Sequence, residues 1–288
     1  MRPLRVALVH ADRPRDLPGG RMVGVWSYPV EQFTVTHFGT PKHFTMKRSD
    51  FASFDVIVRE DHKCYGTFVN DADIPLVYYC VDSTLSTQHF LDRLPHAQSA
   101  DLALIEQDDL ARFDGCNTRR LSYCVNENLY HDYETGKPVD VGFYCNATPE
   151  RDKLAAKLRQ FCDSRRLRFE YGKREGVEYA MALSGAKINV SLARTATNRP
   201  HRTFDVMASR SCLLTSALPV ISGEEREAGV HYAEFYDADS AMDAIAILLD
   251  SHEWCDFAEA GYALVREKHT WAVRATELRQ IFYEVFKI

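Results

Sequence analysis

The 288-residue chain reads as an α/β protein built from two Rossmann-like domains facing a central cleft. Three observations predict this. Short apolar runs of strand length alternate with helical patterns along the chain, which argues for largely parallel sheets. A polar stretch at 126–139, rich in Asn, Asp, Glu and Tyr and carrying Gly136 and Pro138, separates two such series. The length is also long for one domain and comfortable for two. The expected limits are 1–135, 136–270, and a C-terminal helix over 271–288 that packs back toward the first domain.

In the first series, Leu4–His10 is a short apolar run of strand length, followed by a Gly/Pro-rich loop from Pro14 to Gly20. The mixed pattern of Met22–His37 permits a helix broken near Pro29. Asp55–Arg59, Pro75–Val81 and Asp101–Glu106 read as buried strands. Ser86–Leu94 and Gln107–Phe113 read as helices, and Arg120–Val125 as the closing strand. In the second series, strands are expected at Val139–Asn146, Leu167–Gly172, Lys187–Ala193, Cys212–Thr215 and Tyr232–Tyr236. Between them lie an amphipathic helix over Glu150–Ser164, a helix over Gly176–Ser184, and a short polar-headed helix beginning at Arg202. Helices over Ser240–Ser251, Glu253–Lys268 and Trp271–Phe286 close the chain, with Thr270 suited to cap the last.

Hydrophobic content of 45% and charged content of 26% are those of an ordinary globular protein. A net charge of −6 provides no global attraction to nucleic acid or to an anionic membrane. The charge is uneven: residues 1–65 carry ten Lys+Arg against seven Asp+Glu, and residues 66–135 carry four against twelve. The eight cysteines are scattered, without C-x-x-C spacing, and several fall in apolar runs. Reduced, buried thiols in a cytoplasmic protein explain them better than disulfides or zinc. The first ten residues are too soon interrupted for a signal peptide, and no apolar run approaches the ~20 residues that span a bilayer.

Polar and basic residues gather just beyond the predicted strands of the second half, where open α/β sheets bind ligands. Asn146-Ala-Thr-Pro-Glu-Arg151 follows one strand and opens a helix. Tyr171-Gly-Lys-Arg174 follows the next, and Arg194-Thr-Ala-Thr-Asn-Arg199-Pro-His-Arg202 a third. Helix N-termini and arginine forks both suit phosphate. Asp205 sits one turn into an apolar helix, where an acid needs a partner. Either Arg202, at (i, i+3) spacing, pairs with it, or it accepts the hydroxyls of a ribose. A carboxylate behind a basic loop suits a sugar nucleotide, which makes glycosyl transfer the first hypothesis.

The order of motifs supports that hypothesis. Lys187-Ile-Asn-Val-Ser-Leu192, Arg202-Thr-Phe-Asp-Val-Met-Ala-Ser209, Leu213-Leu-Thr215, Ala258-Glu-Ala-Gly-Tyr262, Glu267-Lys-His-Thr270 and Arg274-Ala275 together resemble the C-terminal domain of GT-B glycosyltransferases. The pattern is similar to the "glycosyl transferases group 1" type related to spore-maturation proteins, which runs K-I-N-L, R-x-F-E-x-M-A-x-G, L-L-T, A-x-x-G, H-T and R-A. Val141-Gly-Phe-Tyr-Cys-Asn146 with Arg151 resembles that family's first strand and loop. The resemblance covers roughly residues 120–285. It implies an acceptor-binding first domain and a second domain that binds a nucleotide-diphosphate sugar, in keeping with a UDP-sugar and hexosyl transfer. It places Asp205 on the donor ribose, and Asn146, Arg151, Arg194 and Arg199 around the donor. It also places Lys187 and Arg202 near the phosphates, where cations stabilise the departing diphosphate. No metal is implied, and no D-x-D motif stands in a suitable place.

Three positions depart from the family pattern. Asp205 stands for Glu, Arg210 for the Gly after Met-Ala-x, and Thr197 for a second Glu found in many retaining enzymes of this fold. An inverting reaction needs a base from the first domain. Asp12, Glu60 and Asp61 follow predicted strands, and His10 and His62 are further candidates, since His suits base work near neutral pH. Asp82 is preferred, because Val-Tyr-Tyr-Cys-Val-Asp82 resembles the family's strand ending in Asp. The acceptor is open. The basic residues of 1–65 suit an acidic one, including hydroxymethylated bases of duplex DNA as used by some phage glycosyltransferases. A sugar-nucleotide epimerase and a non-catalytic nucleotide-binding protein of the same shape are the competing readings.

Overall fold

A computed structural model describes residues 2–11, 29–41, 43–60, 66–80, 86–106, 110–193 and 199–288. The chain divides into two compact units. Among the described residues, the first comprises those up to Cys124 together with Trp271–Ile288, and the second comprises those of Val125–Thr270. The division falls at Cys124–Val125 because the following residues bond within the second unit. The Val125 N–H donates to the His269 carbonyl at 2.8 Å, and the Tyr133 N–H to Ser184 Oγ at 2.9 Å.

The first unit is centred on a six-stranded sheet with the order β2-β1-β4-β6-β7-β8. Its strands are β1 (Leu4–Ala11), β2 (Phe33–Thr40), β4 (Val56–Glu60), β6 (Leu76–Cys80), β7 (Leu102–Ile105) and β8 (Thr118–Arg120). Every pairing is parallel. Two short strands, β3 (Thr45–Lys47) and β5 (Thr67–Val69), form a separate parallel pair. One face of the main sheet buries Ala7, Val9, Ile57 and Leu76 against Phe51 and the half-buried Phe38, Phe44, Phe54 and Phe68. Helix α1 (Thr87–Gln98) starts at Ser86, whose hydroxyl accepts the His89 N–H at 3.1 Å. Its Ala97 packs with Tyr78, Ala103 and Ile105.

The second unit holds a five-stranded parallel sheet, β9 (Val139–Tyr144), β10 (Phe169–Gly172), β11 (Ala186–Ser191), β12 (Cys212–Ser216) and β13 (Ala233–Phe235), in the order β10-β9-β11-β12-β13. Its helices are α2 (Pro149–Ser164), α3 (Gly176–Ser184), α4 (Arg202–Ala208), α5 (Ala238–Ser251) and α6 (Trp254–Lys268). Side-chain alternation along β11 divides the layers. Ile188 and Val190 join Val141, Phe143 and Leu214 against Leu154 and Leu158 of α2 and Ile245 and Leu248 of α5. On the other face, Asn189 donates to the Leu183 carbonyl of α3 at 3.0 Å and to Ser211 Oγ at 2.7 Å. Helix α2 begins where Pro149 follows the Thr148 cap, with Glu150 and Asp152 in its first turn.

The structure departs from the sequence expectation at several elements. Residues 22–28 of the expected helix over Met22–His37 lie outside the described residues, but Phe33–Thr40 is a strand. The consecutive β-branched Thr34, Val35 and Thr36, in a strand paired along all of β1, outweigh the helical pattern. Only Leu110–Arg112 of the expected helix over 107–113 is described as helical, and it is a 3-10 turn. The strand expected over Arg120–Val125 ends at Arg120. The chain then leaves the sheet, and Val125 forms a single bridge to Thr270. Among the described residues, no helix is long and apolar enough to cross a membrane.

Helix α7 (Trp271–Phe286) is part of the first unit. Trp271 stacks on Phe33 with centroids 6.3 Å apart, and Phe282 meets the same ring edge-on at 6.1 Å. Gln32 donates to Thr276 Oγ1 at 2.9 Å. Because Phe33 is the common anchor for both aromatic rings, Phe33→Ala is expected to destabilise the protein by about 3 kcal/mol, read as a lowered urea midpoint.

Candidate functional site in the second unit

In the second unit, the sheet order turns around between β9 and β11, since β10 lies on one side of β9 and β12 and β13 lie beyond β11. Crossovers leave such a point in opposite directions and open a crevice beyond the carboxyl ends of the two strands. Arg151 spans that point. Its Nη1 donates to the Asn146 carbonyl, just past β9, and its Nη2 to the Leu192 carbonyl, just past β11, each at 3.1 Å. Arg151 is 7% exposed, so its first task is to fasten two loops. The Asn146 side chain beside it is exposed.

Around this crevice the fold assembles residues from four elements. Cys145, directly after β9, is buried. Burial pushes its thiol pKa up, against the opposing pull of Arg202 and Arg151. Tyr171, in β10, donates its hydroxyl to Asp152 Oδ1 at 2.5 Å. Tyr179, in α3, accepts the Arg202 Nε–H at 3.3 Å. Burial pushes the Tyr179 pKa up to about 12. Arg202 opens α4, and Asp205 follows within the first turn. Arg202 interacts electrostatically with Tyr179, Cys145 and Asp205. Asp205 is 3% exposed, and its carbonyl receives the Ser209 hydroxyl at 2.9 Å.

Arg202 Nη1 is sealed from solvent and has no hydrogen-bond partner. The Ser191 hydroxyl, at the end of β11, and that of Thr203, beside Arg202, are also buried without a partner. Unpaired buried donors are costly and rare. Their concentration near one strand end fits a place completed by water or by a polar ligand.

Two residues expected at the donor lie elsewhere. Lys187 is the second residue of β11, at the amino end of the strand, and its Nζ pairs with Asp140 Oδ1 at 2.6 Å. The start of a strand points away from the carboxyl-edge crevice, which removes Lys187 from the candidate site. Arg199 is fully buried, and its Nε bonds Glu224 Oε1 at 2.8 Å. Arg226 holds Glu224 Oε2 at 2.7 Å. The Arg199 guanidinium lies 4.9 Å from the centroid of Phe204, and Phe204 stacks on His269 at 4.2 Å. His269 Nε2 donates to the Glu224 carbonyl at 2.8 Å. Arg199 is thus part of an internal ionic knot that also uses the His-Thr motif. Arg194, Thr197 and Asp82 lie outside the described residues, as do Asp12, Asp61 and His62.

Arg210 takes φ of 54° just past α4, a left-handed position where glycine is favoured. Its side chain bonds Glu259 Oε1 at 2.6 Å, and its carbonyl receives Lys137 Nζ at 2.7 Å. In the first unit, His10 is the penultimate residue of β1 and meets His37 edge-on at 5.5 Å. Glu60, which ends the neighbouring strand β4, is buried. Sequence reading missed Tyr179, Ser191 and Glu224. Tyrosine and serine on apolar elements look like core residues until their neighbours are known. Among the described residues, no group of three or more His, Cys, Asp or Glu is placed to hold a metal ion.

Residues 168–280 match the family model described as glycosyl transferase-like. The structure is similar to Anabaena HepE, solved in complex with UDP and glucose, at 11% identity over 98% of this chain and 100% of that one, with a TM-score of 0.67. It is similar to sucrose-phosphate synthase from Thermosynechococcus elongatus at 11% identity over 99% of each chain, with a TM-score of 0.62. It is also similar to TarM at 11% identity, over 81% of this chain and 55% of TarM, with a TM-score of 0.60; a mutant of TarM from S. aureus is among the similar structures. No curated protein matches the chain in sequence. The fold is GT-B. With its glycosyl transferase-like domain, the protein is a glycosyltransferase.

Burial works against the charge of Glu224, but Arg199 and Arg226 prevail and hold its pKa below the ordinary value. Its ionised form therefore stabilises the fold at neutral pH, and that contribution is lost as pH falls through the acid range. Glu224→Gln is expected to cost about 3 kcal/mol at pH 7, because two buried arginines lose their counter-charge. It should also flatten the acid dependence of stability, measured as urea midpoints from neutral pH downward.

Proposed function

We propose that the protein moves a hexosyl group from a UDP-sugar to an acceptor hydroxyl, with cationic rather than metal stabilisation of the leaving diphosphate. The observation that carries this reading is the sealed, unpartnered Nη1 of Arg202, one turn from Asp205, near the switch point of the second sheet. Arginine supplies a fixed positive charge and a fork matched to phosphate oxygens. Charge builds on the diphosphate as the sugar–oxygen bond breaks, so a preorganised cation there favours the transition state. Asp205 is assigned to the ribose hydroxyls. Arg151 is assigned to holding the loop that carries Asn146, with Asn146 and Arg194 facing the donor. The UDP and UDP-glucose complexes of HepE support the choice of donor.

The acceptor is assigned to the first unit, with Asp82 as base on the strength of its place in the sequence, two residues beyond the end of β6. The described cysteines are all free, in keeping with the reducing cytoplasm proposed as the location. Incubation with UDP-sugars tests the class: slow release of UDP with free sugar supports transfer, whereas inversion at C2 of the sugar would make the protein an epimerase. A screen of polysaccharide, lipid-linked and hydroxymethylated DNA acceptors then identifies the acceptor.

Asp205→Ala is expected to weaken UDP binding about tenfold or more, as for loss of a charged hydrogen-bond acceptor, while the circular dichroism spectrum is retained. Unchanged calorimetric affinity would remove the ribose assignment. Arg202→Ala is expected to lower turnover about 100-fold or more; a wild-type rate would reduce Arg202 to a structural partner.

A further inference from the structure

Tyr179 belongs to a helix, not to a strand end, and no sequence motif marks it. Its hydroxyl accepts the Arg202 Nε–H at 3.3 Å. The ring is held edge-on to Tyr130, with centroids 6.0 Å apart, so the phenol is fixed from behind as well as bonded in front. The Nε of the guanidinium is engaged, while Nη1 stays sealed from solvent and unpartnered.

The chemistry of the partner matters. A carboxylate at this place would orient the arginine and also cancel its charge, in competition with a phosphate. A phenol orients without cancelling. Burial raises the Tyr179 pKa to about 12, so the hydroxyl remains neutral across physiological pH. Tyr179 thus takes nothing from the positive charge of Arg202 while it ties down the guanidinium at Nε. Ordering a long side chain in advance removes a cost that binding would otherwise carry.

We infer that Tyr179 is a positioning residue, which holds Arg202 by Nε so that Nη1 is presented to the diphosphate of the donor. This rests on the donor reading given above.

A double-mutant cycle tests it, using Tyr179→Phe, Arg202→Ala and the pair, with UDP binding followed by calorimetry and uridine binding by ligand-observed NMR. Tyr179→Phe is expected to weaken UDP binding about tenfold, the scale of one neutral-to-charged hydrogen bond, and to leave uridine binding unchanged. In the Arg202→Ala background the same substitution is expected to change nothing. Equal losses in both backgrounds, equal losses for UDP and uridine, no loss at all, or a Tyr179→Phe chain that does not fold would each overturn the inference. If the wild-type protein itself binds no UDP, the donor reading fails, and the inference fails with it. That result is distinct from wild-type binding that Tyr179→Phe leaves intact.

Discussion

The site depends on one constraint, the parallel pairing of β9 with β11 at the point where the sheet order turns around. Parallel neighbours require crossovers, and crossovers that diverge leave the carboxyl ends of the two strands uncovered. Arg151 secures those ends through two backbone carbonyls. Cys145, Asn146, Ser191 and Leu192 all lie within two residues of those strand ends. Arg202 and Asp205 become a candidate site because α4 packs over the same sheet face. Without that pairing they would be one more basic loop followed by one more acid.

Charge is used in two ways within the second unit. Around Glu224, two arginines, an aromatic face and a histidine satisfy one another in a closed interior knot. Such a group contributes definition to the fold and has no capacity left for a ligand. Around Arg202 the pairing is incomplete: Tyr179 takes Nε, while Nη1 and two neighbouring hydroxyls stay unmatched. Buried polar groups are normally satisfied. The closed network leaves Arg199 with a structural task, whereas the open one leaves a nitrogen of Arg202 able to meet a ligand.

Arg210 shows how a departure from a family pattern can be local. The glycine expected there meets a backbone requirement, a left-handed residue after a short helix. This chain places arginine in the same conformation and compensates with Glu259 and with Lys137 on the carbonyl. The backbone path is kept, and the substitution lies on the far end of α4 from Arg202.

Much of the architecture was legible in the chain alone. Buried strands such as Val56–Glu60 and Leu76–Cys80 announce themselves as apolar runs, and helices such as Gly176–Ser184 and Trp271–Phe286 show clear periods, because burial on one or both faces writes itself into local composition. The edge strand Phe33–Thr40 does not show itself in the sequence, since half of it faces outward and its pattern is mixed. The motif order also pointed to the glycosyltransferase class and to Arg202 and Asp205. What the sequence by itself determined was therefore the alternation of elements and the residue types near strand ends. Only the tertiary structure decided that Lys187 sits at the amino edge, that Arg199 closes on Glu224, and that Tyr179 holds Arg202. Those outcomes depend on contacts between residues as many as 47 positions apart, as for Lys187 and Asp140, and no local pattern encodes which distant partner a charge will meet.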